Sequence, residues 1–195
     1  HSLTGKARID ISPPMTERAE FQVFDPSTFT HIGRNERAVN ELLAARERAG
    51  LPRIREVILL GSGMVEPFTI ASLPWMWDAY ISAVDVSGDV VAMGEALKRG
   101  EGVPWSEVGR ISLNPGRPNS DFSEPERIRN WLNVLEQLGC LENLGAEFTE
   151  TKIQVAPDVR ERVNFVHSKA LEALNGPLGS VRPDFIGAFF VLLNI

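Results

Sequence analysis

The residues with the clearest chemical meaning are Gly61-Ser62-Gly63 and Asp85. The glycines directly follow the apolar run Val57-Ile58-Leu59-Leu60 and precede a segment able to turn helical. Glycine in such a turn allows positive φ and lets a ligand approach the backbone closely. Asp85 stands about 22 residues beyond Gly63, at the end of the next strand-like run, Tyr80 to Val84. A carboxylate at that strand end accepts two hydrogen bonds from a ribose diol, so the pattern predicts a nucleotide-type cofactor. A plainer reading of the same residues is a tight turn, with Asp85 capping the following helix.

The residues after Gly63 narrow the choice of ligand. A dinucleotide needs a third glycine so that the helix N-terminus meets the pyrophosphate. Here the chain reads Met64-Val65-Glu66-Pro67. An acid at a helix start repels a pyrophosphate but can meet an ammonium group. That favours a ligand carrying an amino acid and a sulfonium over NAD or FAD.

Other reactive side chains are less telling. His31 and His167 are far apart, and no His, Cys, Asp and Glu cluster has metal-ligand spacing. His167 ends a strand on the ligand side, as either a general base or an ordinary loop histidine. His31-Ile32-Gly33-Arg34 is open to two readings, a lid over the cofactor or an exposed arm. Trp75 and Trp77 flank a kink, where they line a substrate pocket or, for at least one of them, pack in the core. Nothing near Cys140 activates its thiol.

The elements that must position these groups follow from periodicity and punctuation. Residues 1–33 form an irregular arm, and Asn35 to Ala49 a helix with Val39, Leu42 and Leu43 on its apolar stripe. After the first strand, a helix from Thr69 to Leu73 is stopped or kinked by Pro74. Asp89 to Arg99 is a helix closed by Gly100, and residues 101–122 read as a loop. Ser123-Glu124-Pro125-Glu126 has the form of a capping box ahead of a helix that runs to Gly139. Val163 to Val166 is a third strand, a short helix follows through Leu174, and Pro183 introduces a fourth strand. Strands alternating with helices predict an α/β fold, a parallel sheet covered on both faces. An N-terminal arm and helix (residues 1–50) precede a cofactor-binding domain (residues 51–195) with an insertion at about 101–160.

Bulk properties agree. The chain has 195 residues, 43% hydrophobic and 24% charged, which suits one globular domain. One cysteine excludes an internal disulfide framework and fits a reducing, cytoplasmic setting. No apolar run approaches the roughly 18 residues of a membrane span. The net charge of −6 and the dispersed Lys and Arg argue against nucleic acid. A small-molecule substrate is the expected partner. His1-Ser2 without a methionine reads as a tag remnant, and the apolar stretch 189–195 reads as a strand that stops inside a core. The expectation is a fragment whose fourth-strand edge is covered by another chain or a missing segment.

Leu59-Leu60-Gly61-Ser62-Gly63-Met64-Val65-Glu66-Pro67 resembles the first motif of class I S-adenosylmethionine-dependent methyltransferases, and Ala83-Val84-Asp85-Val86-Ser87 is similar to their second. Arg162 to Ala170 falls where their third strand and adenine-contacting loop stand, and Pro183 to Leu192 resembles their fourth strand. The resemblance covers residues 55–195 and implies a Rossmann-like sheet. It implies that Gly61, Ser62 and Gly63 lie beside the methionine moiety and ribose, that Asp85 binds the ribose hydroxyls, and that Val86 packs on the adenine. Ser168 and Lys169 of the third-strand loop, Phe189 of the fourth strand and Glu66 complete the implied cofactor set. The helical insertion after the second strand is similar in layout to chemotaxis-receptor methyltransferases. Leu59 replaces the usual acid two positions before the first glycine, Val65 the third glycine, and Lys169 an acid common in the third-strand loop.

The resemblance implies methyl transfer to a small molecule or a protein side chain, a reaction that needs no dedicated catalytic residue when the approach is in line and dry. Gly61-Ser62-Gly63 with Pro67 and Thr69 is also similar to nicotianamine synthases, which move an aminocarboxypropyl group. A third reading is a non-catalytic binding or assembly module with a degenerate cofactor site, and a fourth an NAD oxidoreductase.

Overall fold

The computed structural model describes residues 34–104, 124–145 and 152–188. Its centre is a four-stranded parallel sheet of β1 (Glu56–Leu60), β2 (Tyr80–Asp85), β5 (Val163–His167) and β6 (Phe185–Ala188), in the order β5-β2-β1-β6. Helices flank it: α1 (Arg34–Arg48), α2 (Glu66–Ala71), α3 (Gly88–Lys98), α4 (Glu124–Gln137), α5 (Leu141–Leu144), α6 (Pro157–Arg160) and α7 (Ala170–Asn175). The α/β sheet with flanking helices expected from the alternating pattern is therefore present.

Strand β1 is central because both of its faces are apolar. Val57 and Leu59 join one core cluster with Val39, Leu43, Phe68, Ile81, Leu97 and Phe165. Ile58 and Leu60 join a second with Val84, Ala173 and Leu178. The first cluster packs under α1, α2, α3 and α4, and the second under α7 and the turn behind it. The four apolar side chains of β1 are all buried, each contributing roughly 1.5–3 kcal/mol of transfer free energy. Strand β6 ends the sheet order among the described residues and pairs there only with β1.

Local chemistry sets the helix ends. Ser87 caps α3 by accepting from the Val90 N–H at 3.4 Å, Asp89 lies in its first turn and Lys98 in its last, where the helix dipole favours each charge. After α1, Gly50 turns at φ +66°, its N–H donating to Glu47 O and that of Leu51 to Arg46 O. Arg162 ties four backbone carbonyls together. Its guanidinium donates to the carbonyls of Ala71, Met76, Ala79 and Asp158, and so holds the end of α2 and the following turn against β5.

Several expectations need correction. Helix α2 starts at Glu66 rather than Thr69, because Pro67 sits in the first turn, where its missing N–H costs nothing. Leu42 lies off the buried stripe of α1 and is 44% exposed. The expected loop 101–122 begins with strand β3 (Val103–Pro104), which pairs antiparallel with β4 (Lys152–Ile153) across the insertion. Two-residue strands show no periodicity to read. Trp75 and Trp77 do not pack in the core: in the 3₁₀ turn Pro74–Met76 it is Met76 that turns inward, fully buried. The N-terminal arm 1–33, the lid residues His31 to Gly33, Ser123 of the capping box and the fourth-strand residues from Phe189 onward lie outside the described residues.

Candidate functional site

Open parallel sheets bind ligands beyond the carboxyl ends of their strands, where the strand order reverses. Here the order reverses between β1 and β6, and the turn after β1 carries the three residues singled out by sequence. Gly61 and Gly63 both adopt φ +65°, a conformation that L side chains disfavour. The turn is fastened to the end of β2: the N–H groups of Gly61 and Ser62 donate to Val84 O at 2.8 and 3.3 Å. Ser62 is fully buried, and its hydroxyl donates to Gly63 O. A Cβ on Gly63 would meet nothing within 4 Å, so the space above that residue is open.

Asp85 joins the turn to the next helix. Its carboxylate accepts the Gly63 N–H at 3.1 Å and the Ser87 N–H at 2.9 Å. The residue is 6% exposed. Burial raises its pKa above the usual aspartate value, against the opposing pull of the backbone donors at Ser87, Gly63 and Val86 and of His167. Sequence reasoning offered Asp85 as either ligand acceptor or helix cap. The cap of α3 is Ser87, and Asp85 orients Ser87 through its backbone.

Residues from β5 close one side. The Ser168 N–H donates to Asp85 O at 3.1 Å. His167 Nε2 lies 3.0 Å from Val86 O. A carbonyl only accepts, so Nε2 carries a proton in this contact. The imidazole is exposed. Ser168 Oγ donates to Lys169 O, and the Lys169 ammonium leans towards Glu172 on α7, 3.7 Å away, in an exposed pair. Val86 takes part through its backbone groups. Phe189 lies outside the described residues.

Glu66 follows the turn at the start of α2 and brings in a residue that sequence reasoning missed. Part of Glu66 reaches solvent, but its carboxyl is packed deeply enough that burial, with the charge of Glu36, pushes its pKa up to about 8, against a hydrogen bond from Asn35. Glu36 is itself buried, 5% exposed, and accepts from Thr69 Oγ1 at 2.7 Å. In sequence it reads as an ordinary first-turn acid of α1. At neutral pH the Glu66 carboxyl therefore holds a proton.

Among the described residues no three His, Cys, Asp or Glu side chains gather to hold a metal, and no helix is long and apolar enough to cross a membrane. Compared with protein-family profiles, curated proteins and solved structures, the chain has no significant match in any of the three.

Proposed function

We propose that the chain binds S-adenosylmethionine at the carboxyl ends of β1 and β2 and catalyses methyl transfer to a small molecule or a protein side chain. The observation that carries this reading is the joining of the positive-φ glycine turn to Asp85, beneath open space, at the point where the strand order reverses. The order third-second-first-fourth is also that of the first four strands of a Rossmann-like sheet. Three backbone N–H groups, of Gly63, Ser87 and Val86, keep the Asp85 carboxylate aimed, and a ribose hydroxyl donates to the lone pair that they leave. Glu66 meets the ammonium of the methionine part, losing its proton as it does so. The bound cofactor supplies a methyl carbon on a sulfonium. The chain's task is to orient that carbon and exclude water. Val65 and Glu66, where a dinucleotide site needs a glycine and no acid, disfavour NAD.

One observation favours a second reading, a non-catalytic module. Asp85 is almost wholly covered and both of its oxygens already accept backbone N–H groups, as a purely structural acid would.

Calorimetric titration of S-adenosylhomocysteine, S-adenosylmethionine and NADH into the chain and an Asp85→Ala variant separates the two. Binding of the first two ligands only, lost in the variant, supports the cofactor site. Proton release on binding near pH 7, read as a dependence of heat on buffer ionisation enthalpy and absent in Glu66→Gln, supports the role given to Glu66. No binding by the folded wild-type chain sinks the methyltransferase reading. If the cofactor turns over, methylthioadenosine as by-product marks aminocarboxypropyl transfer, and S-adenosylhomocysteine marks methylation.

A further inference from the structure

A cleft lies at the opposite end of the sheet. The residues leading into β1 and the 3₁₀ turn leading into β2 enclose, with the end of α1, a cleft of about 410 Å³. That is within the range of small-molecule sites, about 300–1,000 Å³. Its walls are mostly aromatic and aliphatic, Trp75 and Trp77 among them, with three charged side chains, Arg46, Arg53 and Glu47. Trp75 is 37% and Trp77 62% exposed, a large apolar area to leave in water. Arg53 stacks over the Trp77 ring, its guanidinium carbon 5.5 Å from the centroid. Among the described residues Arg46 makes one hydrogen bond, from Nη2 to Pro52 O at 3.1 Å, with Asp184 near enough for their charges to interact, and its Nε is buried with no hydrogen-bond partner. The chain around them is rigidly placed, because Arg162 clamps the carbonyls of Met76 and Ala79 on either side of Trp77.

We propose that this cleft binds a small aryl carboxylate, its ring against Trp75 and Trp77 and its carboxylate on the guanidinium groups of Arg46 and Arg53. Charge decides the class. Two arginines outnumber the one glutamate of the lining, and Asp184 near Arg46 offsets part of that charge, which favours a monoanion over a phosphate dianion or a polyanion. Arginine's planar fork suits a carboxylate, and a tryptophan face offers stacking to any planar ring. The cleft shares no residue with the glycine turn, so the inference is independent of the cofactor reading.

The test is calorimetric titration of 3-phenylpropanoate, with 3-phenylpropan-1-ol and propanoate as probes lacking the charge or the ring. Saturable binding of 3-phenylpropanoate, at least about tenfold tighter than either control, is expected. Arg46→Gln with Arg53→Gln, or Trp77→Ala, should weaken it by a similar factor while the far-ultraviolet spectrum is unchanged, and Asp85→Ala should leave it intact. No saturable binding to the folded chain overturns the proposal. So does binding that survives loss of both arginines, or tighter binding of adenosine 5′-monophosphate than of 3-phenylpropanoate.

Discussion

Replacing Gly94 by alanine tests how closely α3 lies on the sheet. Gly94 is buried in the middle of α3, where glycine weakens a helix by about 1 kcal/mol relative to alanine. On propensity alone the substitution stabilises. The structure reverses the sign, because an added Cβ would stand 2.7 Å from Cε2 of Phe165, with Cζ and Cε1 closer still. The ring cannot swing aside freely. It is 8% exposed and packs on the fully buried Phe68, centroids 5.6 Å apart. Relieving the clash requires lifting α3 or rotating the ring into a filled core, an overpacking cost of about 1–3 kcal/mol. Set against the propensity gain, a net loss of up to about 2 kcal/mol is expected, which lowers Tm by up to roughly 8 °C for a domain of this size. Thermal and urea unfolding followed by circular dichroism measure it. The double variant Gly94→Ala with Phe165→Leu, which deletes the clashing ring edge, should lose less than the sum of the single changes. An alanine variant more stable than wild type by the full propensity gain of about 1 kcal/mol would refute the close approach of α3 to β5.

Other outcomes follow from features already described. Arg162→Met should cost about 2–4 kcal/mol, since four backbone carbonyls lose a charged donor, and Arg162→Lys should recover little because an ammonium cannot span the same fork; urea unfolding reads both. Glu66 holds its proton up to about pH 8 when folded but only to its ordinary 4.5 when unfolded, so stability should fall as pH rises through that window. Glu66→Gln should flatten that slope and be the more stable protein at pH 9; an unchanged slope would show that Glu66 ionises normally. Cys140 is fully buried, its thiol donates to Leu135 O, and burial pushes its pKa up to about 11, so a thiol reagent at pH 8 should label it only on the timescale of unfolding. Rapid labelling of the native chain would contradict that packing.

What was legible in the sequence is what depends on neighbours along the chain. A glycine's φ, an apolar run bounded by turn residues and an acid at a strand end are local facts, and the Gly61–Gly63 turn and Asp85 fall where such facts put them. Glu36 was not legible. Its pattern is that of any acid opening a helix, and only the packing of α1 against α2 buries it beside Thr69. The tryptophans failed for a similar reason. Whether a 3₁₀ turn of three residues points Trp75 or Met76 inward depends on its phase against β2, which no repeat in the sequence records. Gly94 is visible as a weak point in a helix, but its partner Phe165 lies on a strand that only the fold brings near.

The sheet order has a consequence for how the chain folds. Strand β1 gains its two neighbours at very different cost in loop closure. The bond from Gly63 to Asp85 closes a separation of 22 residues, whereas the bond from Glu56 to Asp184, beside the β1–β6 pairing, closes 128. Local closures form earlier and more easily than distant ones. The glycine turn and its acid therefore belong to the β1–α2–β2 unit that assembles first, and during synthesis that unit is complete long before β6 leaves the ribosome. Slow or faulty docking of β6 would then lower the yield of finished protein while leaving this corner of the molecule already shaped.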